Sequence, residues 1–120
     1  MKFMMLIKHP AEYDINDVPP ALFPAMGEFV KELGDKGVFI DGGGLKPLKN
    51  ATRVRLSGGK IKVTDGPFSE AKEVVGGYSI IEAKSHADAV EIATRFMELH
   101  RIHWPGFEGE SEVRPFEDMP

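Results

Sequence analysis

Six side chains in this 120-residue chain have types and spacings that could do chemistry. His100 stands four residues beyond Phe96 and three beyond Met97, so it continues an apolar helical stripe while carrying an imidazole. With an ordinary pKa of about 6.5, such a side chain is either a neutral, hydrogen-bonded core residue or the chain's best general base. His103 follows at i+3 and could share that face. A His-x-x-His pair with a carboxylate can hold a metal, but helical pairs usually stand at i, i+4 and no Glu is fixed nearby by spacing. No metal ligand is therefore assigned.

Asp65 precedes Gly66-Pro67. Its carboxylate either closes an Asx-type turn on backbone N–H groups or opens onto a cleft lined by strand-end loops. Glu70, Lys72 and Glu73 come next. They are solvated loop charges, whose exposed ion pairs contribute about 0–1 kcal/mol, or they partner a basic strand face. Arg114, between Val113 and Pro115, can grip a carboxylate in a fork, either from Asp65 or from a substrate. The expectation is that His100 and Asp65 supply any catalysis, while Arg114, Lys72, Glu70 and His103 contact a small anionic ligand. No cofactor is implied. Gly42-Gly43-Gly44 lacks the Lys-Ser/Thr ending and following helix of a phosphate loop. Trp104 beside Pro105 is a helix-stop packing anchor.

The elements that must position these residues follow from patterning. Phe3 to Lys8 is a strand apolar on both parities, and so covered on both faces. Asp17 and Pro19-Pro20 lead into a helix, because Leu22, Met26, Phe29 and Leu33 fall at i, i+4, i+7 and i+11. Pro24 fits only in its first turn, and Gly34 or Gly37 ends it. Val38-Phe39-Ile40 is a short strand that stops at Asp41 and the three glycines, where the backbone turns sharply or passes close to something. Thr52 to Thr64 is a hairpin about Gly58-Gly59, placing Leu56 opposite Ile61 and Val54 opposite Val63. Its other face carries Arg53, Arg55, Lys60 and Lys62, either as protection of a strand edge or as a site for an anion. Gly76 to Ala83 is a strand. Ser85 caps a second helix with Ala89, Val90, Ala93, Phe96 and Met97 inward, stopped by Trp104-Pro105-Gly106. Ser111 to Phe116 closes the sheet.

The order β-α-β, hairpin, β-α-β makes one α+β domain with a ferredoxin-like layout and both helices on one sheet face. No third helix covers the other face, and a second copy is the cheapest cover. A homodimer is expected.

Composition narrows the partners. Fifteen Lys and Arg against 19 Asp and Glu give a net charge of −4, with no concentrated basic surface for nucleic acid. There is no cysteine, hence no disulfide, thiolate nucleophile or Cys-based zinc site. The apolar run near the start is too short for a signal peptide's core or a membrane span, so a cytoplasmic protein is expected.

The stretch Val63-Thr64-Asp65-Gly66-Pro67-Phe68-Ser69-Glu70-Ala71-Lys72-Glu73-Val74-Val75-Gly76-Gly77-Tyr78 resembles the signature of the DGPF branch of the YCII-related family. Lys2 to Ile7 resembles that family's first strand, Ala51 to Arg55 its hairpin, Glu112 to Pro115 its last strand, and Leu99 to Gly106 a subgroup ending. The resemblance implies a dimeric α+β barrel of ferredoxin-like subunits. Some YCII-like proteins carry a His on the first helix and an Asp about one helix-length later as a proposed acid–base pair. One branch has been linked to eliminating halide from a small chlorinated aromatic. Here Asp35 stands for that Asp, but the His position holds Met26, whose thioether takes up no proton. Some DGPF-type members sit beside regulatory factors. Two functions are thus implied: a small-anion-binding domain with acid–base or lyase-like chemistry, or a non-catalytic regulatory or interaction module.

Overall fold

A computed structural model describes residues 1–10 and 12–119. Its elements are β1 (Lys2–His9), α1 (Leu22–Asp35), β2 (Phe39–Gly44), β3 (Thr52–Ser57), β4 (Lys60–Asp65), β5 (Val74–Glu82), α2 (His86–His103) and β6 (Glu110–Pro115). β2, β5, β1 and β6 form one antiparallel sheet in that spatial order, while β3 and β4 form a separate two-stranded sheet. Without the β3–β4 hairpin, the strand order and crossovers are those of a ferredoxin-like α+β fold. The hairpin is an insertion between its second and third strands.

Alternation along β1 sorts the two sheet faces. Phe3 and Met5 turn to the helix side, where they form the core with Ile81, Ala83, Ala89 and Ala93, and Val113 packs against that core. Met4 and Leu6 turn the other way and stay half-buried. They sit beside Ile80 and Tyr78 on one flank and Arg114 and Glu112 on the other. This open face is apolar at its centre and charged at its margins.

The first helix buries Leu22, Phe29 and Leu33 as its spacing requires, and Pro24 lies in its first turn. Asp17 does not cap it. Asp17 closes a short 3₁₀ turn over Ile15–Asp17 that Asp14 caps, and α1 begins after Ala21 with no side-chain cap. The chain leaves α1 through Gly37, at φ 72°, a left-handed conformation that only glycine adopts freely. At α2, Ser85 accepts from the Asp88 N–H as expected of a cap. Val90 departs from the expected inward stripe and is 45% exposed.

The glycine run is the clearest departure. β2 does not stop at Ile40 but continues through Gly42, Gly43 and Gly44, paired to Ser79, Tyr78 and Gly77 of β5. A Cβ on Gly42 would lie 2.6 Å from the Tyr78 carbonyl oxygen and 3.0 Å from Ser79 Cα, so glycine is what lets the two backbones approach. Among the described residues no helix is long and apolar enough to cross a membrane.

Candidate functional site

α2 is amphipathic because its small residues Ala89 and Ala93 let it settle close on the sheet, and His100 lies further along the same face. His100 is 5% exposed, and its Nδ1 lies 3.0 Å from the Phe96 carbonyl oxygen one turn back. That oxygen can only accept, so Nδ1 carries the proton and donates. Burial pushes the pKa of His100 down, the carbonyl bond opposing it less strongly. The ring is therefore neutral at pH 7, with Nε2 as its acceptor.

Aromatic side chains surround it. His100 lies edge-on to Phe96 at 4.9 Å and tilted against Phe107 at 5.0 Å, between ring centroids. Phe107 also meets Trp104 at 4.7 Å, and Trp104 meets Tyr13 at 4.9 Å. A second histidine joins from β1: His9, 7% exposed, packs on Tyr13 at 4.9 Å and faces Phe107 at 6.3 Å. His9 was not among the expected site residues. Its parity with Phe3, Met5 and Ile7 signals an inward side chain, and Tyr13 follows it by four residues, but Phe107 comes from the far end of the chain.

A groove of about 320 Å³ runs over this cluster, with Met97, His100, Arg101, Trp104 and Phe107 in its walls. It shares Thr94 and Met97 with a neighbouring groove of about 440 Å³ between α2 and β6, lined also by Val90, Ser111 and Val113. The Ser111 hydroxyl is the one buried side-chain polar atom among the described residues that has no hydrogen-bond partner. Arg101 is held in a fork by Glu98, with nitrogen–oxygen distances of 2.7 to 3.1 Å. That bond lies at an exposed surface, and a competing carboxylate can replace it.

The other expected site residues stand apart. Asp65 ends β4 at the root of the hairpin, exposed, and accepts from the Thr52 hydroxyl at 2.8 Å. Glu70 reaches back to Arg53 at 2.7 Å, and its own backbone hydrogen bond, then the Arg53 guanidinium, lower its pKa. The pairing of this loop with the basic hairpin face is thus made through Arg53. Lys72 is exposed in the same loop. Glu73 approaches Lys8 at 3.7 Å, and Lys8 is held more closely by Glu112 at 2.7 Å. Arg114 alternates with the core-packed Val113, so it lies on the open face, its Nε 3.4 Å from Glu112. The sheet therefore lies between Arg114 and His100. His103 is half-buried at the C-terminal end of α2 and is not in the wall of the groove that His100 lines. Met26 is half-buried on α1, and Asp35, at the end of that helix, approaches Lys31 at 4.0 Å. Among the described residues no three His, Asp or Glu side chains cluster in a way that could hold a metal ion.

A family model described as a YCII-related domain matches residues 1–98. No curated protein matches the chain.

Proposed function

The chain belongs to the YCII-related family, and on that scaffold we propose a homodimeric domain that binds a small, planar, anionic organic molecule in the groove along α2. The neutral, buried His100 in an aromatic wall carries this reading. A ring with its Nδ1 proton committed to the helix offers only Nε2, which takes a hydrogen bond from a ligand hydroxyl or N–H. Trp104 and Phe107 supply flat apolar surface, and Arg101 can exchange Glu98 for a ligand carboxylate. A volume of about 320 Å³ suits a molecule of one or two rings. Asp65 sits outside this groove, so a His100–Asp65 acid–base pair has no support from the geometry, and binding is the reading favoured over turnover.

The dimer rests on area. A folded monomer of 13.3 kDa exposes about 6,500 Å². This chain exposes 8359 Å², an excess of roughly 1,900 Å² against the roughly 800 Å² each partner buries in a standard interface. The shape agrees: a slab of 45 × 42 × 19 Å with a radius of gyration of 16.1 Å, where about 14 Å is usual for this length. A second copy on the open face, over Met4, Leu6 and Ile80, is the cover proposed.

The separation of Asp65 from His100 also suits a non-catalytic module whose dimer surface is the functional part. Thermal-shift screening with hydroxylated aromatic carboxylates distinguishes the two. Ligand binding predicts a compound that raises the melting temperature of the native chain and loses most of that effect in His100→Gln. Equal shifts in both proteins sink the role of His100, and no shift with any such compound sinks the ligand class.

A further inference from the structure

The hairpin of β3 and β4 is fastened at its root and bare beyond it. Arg53 lies 3.7 Å over the ring of buried Phe68 and bonds Glu70 at 2.7 Å. Thr52 bonds Asp65, and the Gly66 N–H donates to the Ala51 carbonyl at 2.8 Å. Past that root the two strands pair only with each other. Val54, Leu56, Ile61 and Val63 share one face and are 63–72% exposed. An isolated two-stranded hairpin is marginal in water, and four branched aliphatic side chains on one face are an interaction surface rather than a solvated one.

Net charge and bare area together favour a second copy of this chain as its cover. From Thr52 to Asp65 the hairpin holds four basic residues and one acidic, a net +3; the rest of the chain holds 11 basic and 18 acidic residues, a net −7. Arg55 lies directly opposite Lys62, an unfavourable neighbour pair unless negative charge comes close. The four basic side chains stand on the face opposite Val54, Leu56, Ile61 and Val63, so it is the arm as a whole, not its docking face, that the net-negative body of another copy of this chain attracts. The surface left bare by one copy exceeds what a standard interface needs, which leaves room for the arm as well as the sheet face.

We infer that the β3–β4 hairpin is a dimerisation arm: it projects from one copy and lays the Val54, Leu56, Ile61 and Val63 face on the acidic body of the second copy. This rests on the homodimer proposed above. Like charges on two arms disfavour arm-to-arm pairing, and an acidic body attracts the arm at a range that salt shortens.

Sedimentation equilibrium of the full chain, native and with Leu56→Lys and Ile61→Lys together, tests the arm. The expected result is a native dimer whose dissociation constant rises at least 100-fold in the double variant. It should also rise between 50 mM and 500 mM salt in the native chain. Both substitutions are on exposed positions, and circular dichroism should show the body still folded. A photo-crosslinking amino acid at position 56 of an otherwise native chain gives an independent reading, with crosslinks expected from the arm to the body of the other copy. A native monomer overturns the homodimer and the arm together. A native dimer with an unchanged dissociation constant in the double variant, or with crosslinks confined within one copy, overturns the arm alone.

Discussion

Gly76 lies directly beneath the imidazole of His9. The register between β1 and β5 passes from Ile7 opposite Gly77 to Lys8 opposite Val75, so Gly76 is the extra residue of a bulge. A Cβ there would come within 2.5 Å of His9 Nε2 and 3.0 Å of its Cδ2. The bulge thus makes the space into which β1 delivers its histidine, against Tyr13 and Phe107.

Gly76→Ala forces that ring out of its place. The expected cost is about 1–3 kcal/mol, the range for adding a methyl to packed surroundings. Urea unfolding of the native chain, Gly76→Ala, His9→Ala and the double variant checks it. The double variant should lose clearly less than the two single losses added together, because the clash disappears with the ring. Strict additivity would place the strain elsewhere.

The glycines of β2 make a paired test of close backbone approach. Gly42→Ala puts a methyl against the Tyr78 carbonyl and should cost about 1–3 kcal/mol. Gly43→Ala meets nothing within 4 Å and should stay within about 0.5 kcal/mol of the native chain. Equal losses at both positions would mean that the contact at Gly42 does not set the requirement for glycine.

Burial of His100 makes stability depend on pH in a defined direction. Its folded pKa lies below the ordinary value, so the unfolded chain takes up the proton first as pH falls. Stability from this group is complete above about pH 6.5 and drains as pH drops below it, by at most about 1.4 kcal/mol per pH unit, until the folded pKa is passed. The difference in unfolding free energy between native and His100→Gln proteins, measured from pH 8 to pH 5, should therefore shrink towards acid. A difference that grows towards acid would mean that the folded state favours the charged ring.

Much of this was legible in the residues, and the reasons differ by element. The hairpin could be placed in register because a two-residue loop leaves no freedom: once Gly58-Gly59 turns, Leu56 must face Ile61 and Arg55 must face Lys62. That it would stand outside the main sheet was not legible, since period-2 patterning says which side chains share a face and not what the face meets. Local propensity ends β2 at Ile40, because a run of glycines weakens a strand, whereas a tertiary contact at Gly42 demands the missing Cβ. His100 was found by helical spacing alone. Asp65 and Arg114 match His100 in chemical type, but type carries no information about which side of a sheet a residue occupies. Phe107 reaches His9 and Tyr13 only through long-range packing, which no local pattern announces.

The tautomer of His100 bears most directly on the proposed groove, and nitrogen-15 resonance of histidine-labelled protein at pH 7 reads it. A neutral ring with its proton on Nδ1 and an unprotonated Nε2, whose signal moves when a hydroxylated aromatic acid binds, is the expected result. A ring protonated on Nε2, alone or together with Nδ1, would deny the ligand the imidazole acceptor and overturn the role of His100.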